Sequence, residues 1–412
     1  MPVRSAGQGA SSVLIRHANQ RLILQRLRRL GEASRADLAR AAGLTNTAVG
    51  QIIKHLEQDG LVRTLGKKHG GQRGQPATML ELDPRGAYAI GVRLDRMRIE
   101  TALTDLSGTV LAHLTHDHLL PAPLRAIEIV RDDITRLAAL VPAARRRRIV
   151  GVGVARPDRL NHWLEKLDLA REDFAPWEHV AFAAELERAC GMPVIEENDG
   201  SAAAIAELFH GHGRSHDDFL HVFIGPAIGG GLVLGGQCVR GSTGNAGDIA
   251  VMPVGPSRLA SVPRAADGRE ILLGRASLAG LRRHLRARGE PPAAIDAPRR
   301  SAAVDEWLDD CADALADPLL AARALLDVKL VVIDGDLSAP LLDRLIERTA
   351  TRLAATAAEA AQPPALLRGS FGAMAGAVGA ATLPLFLTFG PGGSAGMQRD
   401  PNRQGGAFDL VA

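Results

Sequence analysis

Four side chains in the middle of the sequence have the chemistry to hold a small polar molecule: Asn198, Asp199, Asn245 and Asp248. Asn198 and Asp199 end the run Val194-Ile195-Glu196-Glu197 and precede an Ala-rich stretch, Ser201 to Phe209, that reads as a helix. An amide and a carboxylate where a strand yields to a helix occupy a ligand-binding position in α/β folds. Asn245 and Asp248 lie in the Gly-rich turn 244–249. Together two carboxylates and two amides can hydrogen-bond a molecule rich in hydroxyls, and a carboxylate can take a proton from one of those hydroxyls. For Asn198 and Asp199 the other available role is to cap the helix that follows them.

The elements that must position these groups are legible around them. Phe219 to Ile224 is a strand-like apolar run, 225–231 reads Gly-Pro-Ala-Ile-Gly-Gly-Gly, and Leu232 to Leu234 resumes the apolar pattern. That is the pattern of a hairpin whose glycine turn leaves room for a ligand against bare backbone. The Glu-Asn-Asp of 197–199, the Gly-x-x-Ile-Gly-Gly-Gly of 225–231 and the Gly-x-Ala-Gly-Asp-Ile of 244–249, in this order, resemble the ROK family of bacterial sugar kinases and sugar-responsive repressors. The resemblance implies a two-lobed, actin-like (ribonuclease H-like) sugar-kinase fold of the α/β class, and it implies Asp199 as the family's catalytic base.

Kinase activity needs Gly-rich turns whose amides hold the nucleotide phosphates, and here the match fails. The family's Asp-x-Gly-Gly-Thr turn corresponds to Arg93-Leu94-Asp95-Arg96-Met97, with the acid replaced by a base and the glycines by bulky side chains. Its Gly-Thr-Gly is Gly225-Pro226-Ala227, which lacks a hydroxyl and an N–H. Its Gly-Gly-Gly is Asp334-Gly335-Asp336, which sets two negative charges where a polyanion would lie. The family's sugar-contacting His is Val251 here, and no Cys-rich zinc cluster follows, so neither a cofactor nor a metal is expected. His210, His212, His216 and His221 are spaced like residues of a surface loop.

The chain has 412 residues, 46% hydrophobic and 23% charged, enough for two or three cores. No segment reads as a membrane span or signal peptide, so the cytoplasm is the expected compartment. Cys190, Cys238 and Cys311 form no disulfide framework. The net charge of +3 conceals an asymmetry, because residues 1–82 hold 13 Lys/Arg against 5 Asp/Glu while the remainder holds 36 against 41. A basic module on a mildly acidic body points to a polyanionic partner at the N-terminal end.

That module reads as a winged helix-turn-helix. Leu22, Ile23, Leu27 and Leu30 stripe a basic helix that stops at Gly31; Ser34 caps a short second helix; Gly43 turns the chain; and a third helix from Thr45 buries Val49, Ile52, Ile53 and Leu56. The other face of the third helix carries Thr45, Asn46, Thr47, Gly50, Gln51 and Lys54. The threonines and Lys54 suit phosphates, whereas Asn46 and Gln51 suit base edges in a groove. Lys67, Lys68 and Arg73 supply phosphate contacts from the wing. The run Arg145 to Arg148 reads as a solvated helix end, with DNA contact as the alternative.

The expected organisation is a disordered tail at 1–15, a winged helix-turn-helix at 16–82, a ROK-type effector body at 83–390 with its second lobe from about 198, and a flexible tail at 391–412. The expected function is a DNA-binding transcriptional regulator, a repressor, that takes a sugar or sugar derivative as effector and binds a palindromic double-stranded operator as a homodimer or homotetramer, away from any membrane. Two rival readings are a bifunctional DNA-binding sugar kinase that uses Asp199 as base and a ligand-independent DNA-binding protein.

Overall fold

The computed structural model describes residues 12–68, 77–263, 270–296, 301–357 and 362–390. Residues 1–11 and 391–412, where tails are expected, and Arg73 of the wing lie outside the described residues.

The N-terminal head holds α1 (Ser12–Leu30), β1 (Glu32–Ser34), α2 (Arg35–Ala42), α3 (Asn46–Gln58), β2 (Val62–Lys68) and β3 (Ala77–Leu82), with the strands ordered β1-β3-β2. Helix α1 opens at Ser12, inside the stretch expected to be tail. Helix α2 starts where it does because the Ser34 hydroxyl accepts the Asp37 N–H at 3.2 Å while the Asp37 carboxylate accepts the Ser34 N–H at 3.1 Å. This reciprocal cap satisfies two of the helix's orphan donors. Gly43, at φ 67°, ends α2 in the left-handed conformation that a side chain would strain. Ile23, Leu27, Leu38, Ile53, Leu56 and Leu80 close the head's own core, each stabilising by roughly 1.5–3 kcal/mol relative to exposure.

The body repeats one topology twice. In the first lobe β4 (Tyr88–Asp95), β5 (Arg98–Asp105) and β6 (Val110–His116) form an antiparallel meander, and after α4 (Pro123–Leu140) come β7 (Ile149–Arg156), α5 (Phe182–Cys190) and β8 (Val194–Asn198), giving the order β6-β5-β4-β7-β8. Helix α6 (Asp199–His210) leads into the second lobe, where β9 (Phe219–Ile224), β10 (Ile228–Leu234) and β11 (Gln237–Val239) repeat the meander. The short pair β12 (Pro253–Val254) and β13 (Glu270–Ile271) precedes α7 (Leu272–Arg275), α8 (Leu278–Ala287) and α9 (Ala302–Leu326). Strand β14 (Leu330–Gly335), α10 (Ala339–Thr356), β15 (Ala365–Arg368) and α11 (Ala375–Phe389) complete the described chain. The second sheet runs β11-β10-β9-β14-β15, the same sequence of two antiparallel and two parallel pairings as the first.

Two sequence expectations change here. Gly229, Gly230 and Gly231 belong to strand β10 rather than to a turn. They are small because α6 lies on them: a Cβ on Gly231 would stand 2.6 Å from Ala204 Cβ and from the Gly200 carbonyl oxygen. The stripe Leu272, Leu273, Leu278 and Leu281 predicts one helix from Glu270 to Arg288, and it breaks at Ala276–Ser277, where the Ser277 hydroxyl accepts the Gly280 N–H and starts α8.

A third correction concerns apolarity. Residues 372–389 are long and apolar enough to cross a bilayer, although no span is expected from the sequence. Their apolarity answers to the protein interior, since α11 is buried against α6 and the first sheet. Gly91 and Gly153 permit that approach, because a Cβ on either would meet the carbonyl oxygens of Ala377 and Ala380 at 2.1 and 1.8 Å.

Candidate functional site

Asn198, Asp199, Asn245 and Asp248 all line one cavity of about 850 Å³ between the lobes. Its walls are the β4–β5 turn, the loop after β7, the first turn of α6, the β9–β10 hairpin and the loop at 243–251. A volume of this size suits a small molecule, and the lining is more polar than that of a typical drug-sized pocket.

Each polar group is held by the fold. Asn198 caps α6, its Oδ1 accepting the Gly200 and Ser201 N–H groups at 2.9 and 3.2 Å. The capping role read from the sequence is therefore present, and it uses Oδ1 alone. Asp199 Oδ1 accepts the Gly200 N–H at 2.9 Å. Burial, with Asp95 adding to it, raises the Asp199 carboxyl above the usual range, against the pull of Arg93 and Arg96. Asn245 Nδ2 donates to Asp248 Oδ2 at 2.9 Å, so the two act as one unit, and burial raises Asp248 as well. Glu197, whose position in the motif had suggested no separate role, is buried, accepts the Asn198 N–H at 3.0 Å and pairs with Arg240, bracing the strand end behind Asn198.

The sequence missed the arginines that shape this cavity. Arg96 is buried and donates to the carbonyls of Leu160, Arg159 and His162 at 3.0, 3.0 and 3.1 Å, pinning the loop after β7 to the first lobe. Arg156 pairs with Glu196 at 2.7 Å, and Trp163, with φ 61°, lies on the same loop. Arg-rich spacing near 156–159 was the available signal. Nothing in it specified that Arg96 would bond carbonyls 63 to 66 residues away in sequence.

On the nucleotide side the finding is sharper than expectation. Arg93 is buried beside the Phe223 ring and bonds Asp336 through Nη1–Oδ1 at 3.2 Å and Nη2–Oδ2 at 3.3 Å, with Glu100 at 3.1 Å. Asp334 is buried at the end of β14, where its carboxylate accepts the N–H groups of Gly335, Phe371 and Gly372. Burial pushes its pKa up to about 7. The expectation of two free negative charges is therefore corrected, since one carboxylate is neutralised across the cleft and the other is enclosed. The turns that the resemblance assigns to nucleotide phosphates are joined here by an ion pair between their own side chains.

The histidines also depart from expectation. His216 is exposed, but His221 lies fully buried in β9, and burial pushes it down to about 4. Burial, followed by the nearby Arg28 and Arg214, pushes His210 down to about 3.

In the head, Thr45, Asn46, Thr47, Gln51 and Lys54 are exposed on α3 and Gly50 is half-buried, while Val49, Ile52, Ile53 and Leu56 face inward. Thr45 is the N-cap, its hydroxyl accepting the Ala48 N–H at 3.2 Å, so the helix itself begins at Asn46. Lys67 and Lys68 end strand β2. His55, not singled out from the sequence, is exposed on the same helix, with Nδ1 2.8 Å from the Gln51 carbonyl.

The head is seated on the body by α1. The Arg28 guanidinium lies 3.3 Å from the centroid of the Phe209 ring on α6, Arg29 pairs with Asp217, and Arg148 reaches the Gly86 and Gly60 carbonyls at 3.2 and 3.4 Å. Arg148 is thus a strut under the linker rather than part of a solvated helix end.

Residues 89–385 match the model of the ROK family, and residues 17–65 match that of the MarR family. An uncharacterised protein of Sinorhizobium fredii is 28% identical over 372 residues, 90% of this chain and 91% of that one. The xylose repressor of Bacillus subtilis is 24% identical over 247 residues, 60% of this chain and 62% of the repressor. The crystal structure of a ROK family transcriptional regulator, described as a homologue of the Escherichia coli Mlc protein, superposes with a TM-score of 0.65 at 22% identity, covering 92% of this chain and 98% of that one. That likeness establishes the shared fold, a winged helix ahead of an actin-like body.

Proposed function

This chain belongs to the ROK family, and from that premise we propose that it is a cytoplasmic DNA-binding transcriptional regulator, a repressor, whose body takes a sugar or sugar derivative as effector. The observation that carries this reading is the position of α6. Asn198 and Asp199 at its start line the cavity, and Phe209 near its end meets Arg28 of the head. Twelve residues of helix make a rod of about 18 Å between the two.

A hydroxyl-rich ligand accepted by Asp199, Asp248 and the amides of Asn198 and Asn245 draws the β4–β5 turn and the 243–251 loop toward the start of α6. A ligand shifts an equilibrium only by its differential affinity for two states. Here the two states differ in how α6 meets α1, and so in how the heads of a dimer or tetramer are spaced on a palindromic operator. In each head α3 enters the major groove, with Asn46 and Gln51 on base edges and Thr45, Thr47, Lys54, Lys67, Lys68 and Arg73 toward phosphates. The protein acts as a regulator and not as a kinase, a reading supported by the Arg93–Asp336 ion pair at turns where the family's kinases carry glycines.

The test is fluorescence anisotropy of the full chain on DNA from its own upstream region, with and without a panel of sugars and sugar derivatives. Salt-sensitive binding that one sugar changes several-fold is the expected result. DNA binding that no sugar alters would favour a ligand-independent binder. Phosphorylation of a sugar from ATP, lost in Asp199→Ala, would overturn the reading in favour of the kinase.

A further inference from the structure

Helix α6 carries a second polar cluster toward its head-facing end, with Glu207 about two turns along from the cavity-lining Gly200. Glu207 of α6, His221 of β9 and Asp334 of β14 are all fully buried, at 0% exposure, and each turns one ligand atom inward so that the three lie within 4.8 Å of one another. Neither ring nitrogen of His221 has a hydrogen-bond partner, although the ring is enclosed on every side. An imidazole left in that condition costs free energy unless something coordinates it.

The carboxylates are oriented for that task. Glu207 accepts the His212 N–H at 2.9 Å, the Ser370 hydroxyl at 3.1 Å and the Ser370 N–H. Asp334 accepts the Gly335, Phe371 and Gly372 N–H groups at 3.0, 3.3 and 3.1 Å. Such outer partners hold a carboxylate in place and aim its remaining lone pairs, as they do around bound metals.

We propose that Glu207, His221 and Asp334 form a structural site for a divalent cation of the zinc type, which ties α6 to the middle of the second sheet. Two carboxylates and one neutral imidazole around a doubly charged ion sum to zero charge, which suits a site closed to water. One nitrogen and two oxygens form the mixed ligand set that zinc accepts, whereas calcium and magnesium prefer oxygen alone. At bond lengths of about 2.1 Å, neighbouring ligands around a tetrahedral ion stand roughly 3.4 Å apart, so the three groups would have to close inward by about an ångström, and a second carboxylate oxygen would supply the fourth ligand. The ion would hold α6 within a turn of Phe209 and His210, the end of the helix that meets the head.

The full-length protein, purified without chelator or affinity histidines, is expected to carry about one zinc per chain by elemental analysis. Stripping it should lower the melting temperature, and zinc but not magnesium should restore it. His221→Leu should remain folded by circular dichroism, bind no zinc and melt independently of it. Asp334→Asn serves as the second variant where His221→Leu does not fold. His216→Ala, on the exposed loop, should retain the metal. Wild-type protein that binds less than a tenth of an equivalent after incubation with zinc would overturn the proposal, as would a His221→Leu protein that binds as much as wild type.

Discussion

Arg93 of the first lobe and Asp336 of the second form a two-pronged ion pair across the cleft, with both bonds between 3.2 and 3.3 Å, the arginine buried and the carboxylate partly so. The arginine stem lies on Gly376 at the start of α11, where a Cβ would come within 2.3 Å of Arg93 Cδ. A base in place of an acid and an acid in place of a glycine, 243 residues apart, are thus the two halves of one contact.

Removing the arginine leaves Asp336 and the buried Glu100 without their shared cation, whereas removing Asp336 leaves Arg93 its bond to Glu100. Arg93→Met should destabilise the body by about 3–5 kcal/mol, Asp336→Ala by less, and the double variant by less than the sum of the two. Denaturant unfolding of the four proteins in a double-mutant cycle measures this, and simple additivity would show that the pair is not coupled.

The cavity groups should separate ligand affinity from folding. Asn245→Ala removes the donor to Asp248 and should abolish the rise in melting temperature produced by the effector, while leaving the unliganded melting temperature within a few degrees. A thermal-shift titration reads both quantities at once. An unchanged ligand response would exclude the Asn245–Asp248 unit from the site.

On α3, Gln51→Ala and Asn46→Ala should each cost about 1–3 kcal/mol on operator DNA and relax sequence preference at one position. Lys54→Ala should weaken binding to all sequences alike and reduce the salt slope by about one. Binding isotherms on operator and scrambled DNA at several salt concentrations distinguish the two classes.

Stability should depend on pH through His210. His210 is pushed down to about 3 in the folded chain from an ordinary value of 6.5, so the folded chain binds fewer protons than the unfolded one. By linkage, this position costs no stability above pH 6.5, and stability falls progressively as pH drops from there toward 3. The melting temperature of the wild type should fall between pH 6.5 and 5, and His210→Phe should flatten that dependence. Arg28 is pushed down to about 9 by burial, then by Arg214 and Arg29, and its Nε and Nη2 have no hydrogen-bond acceptor, so this contact is poised to release. Arg28→Met should seat the head more firmly and blunt the effector's influence on DNA affinity.

Local rules sufficed for the elements themselves. The Ser34 cap, the Gly31 and Gly43 stops, the apolar stripe of α3 and the strand-to-helix step at Asn198 depend on neighbours within a few residues, and one residue's chemistry announces them. The motif spacing was likewise enough to anticipate a family and a two-lobed body, and to bring suspicion on Arg93, Arg96 and Asp336 as obstacles to a nucleotide. What those residues do instead was decided by tertiary structure alone. Arg93 meets Asp336, Arg96 finds the carbonyls of 159–162, His221 closes on Glu207 and Asp334, and Arg28 lies on Phe209 only because two sheets, α6 and α11 bring distant segments together. A charge's partner, and so whether it repels a ligand, braces a lobe or awaits a metal, is set by distance in space, which the order of residues along the chain does not encode locally.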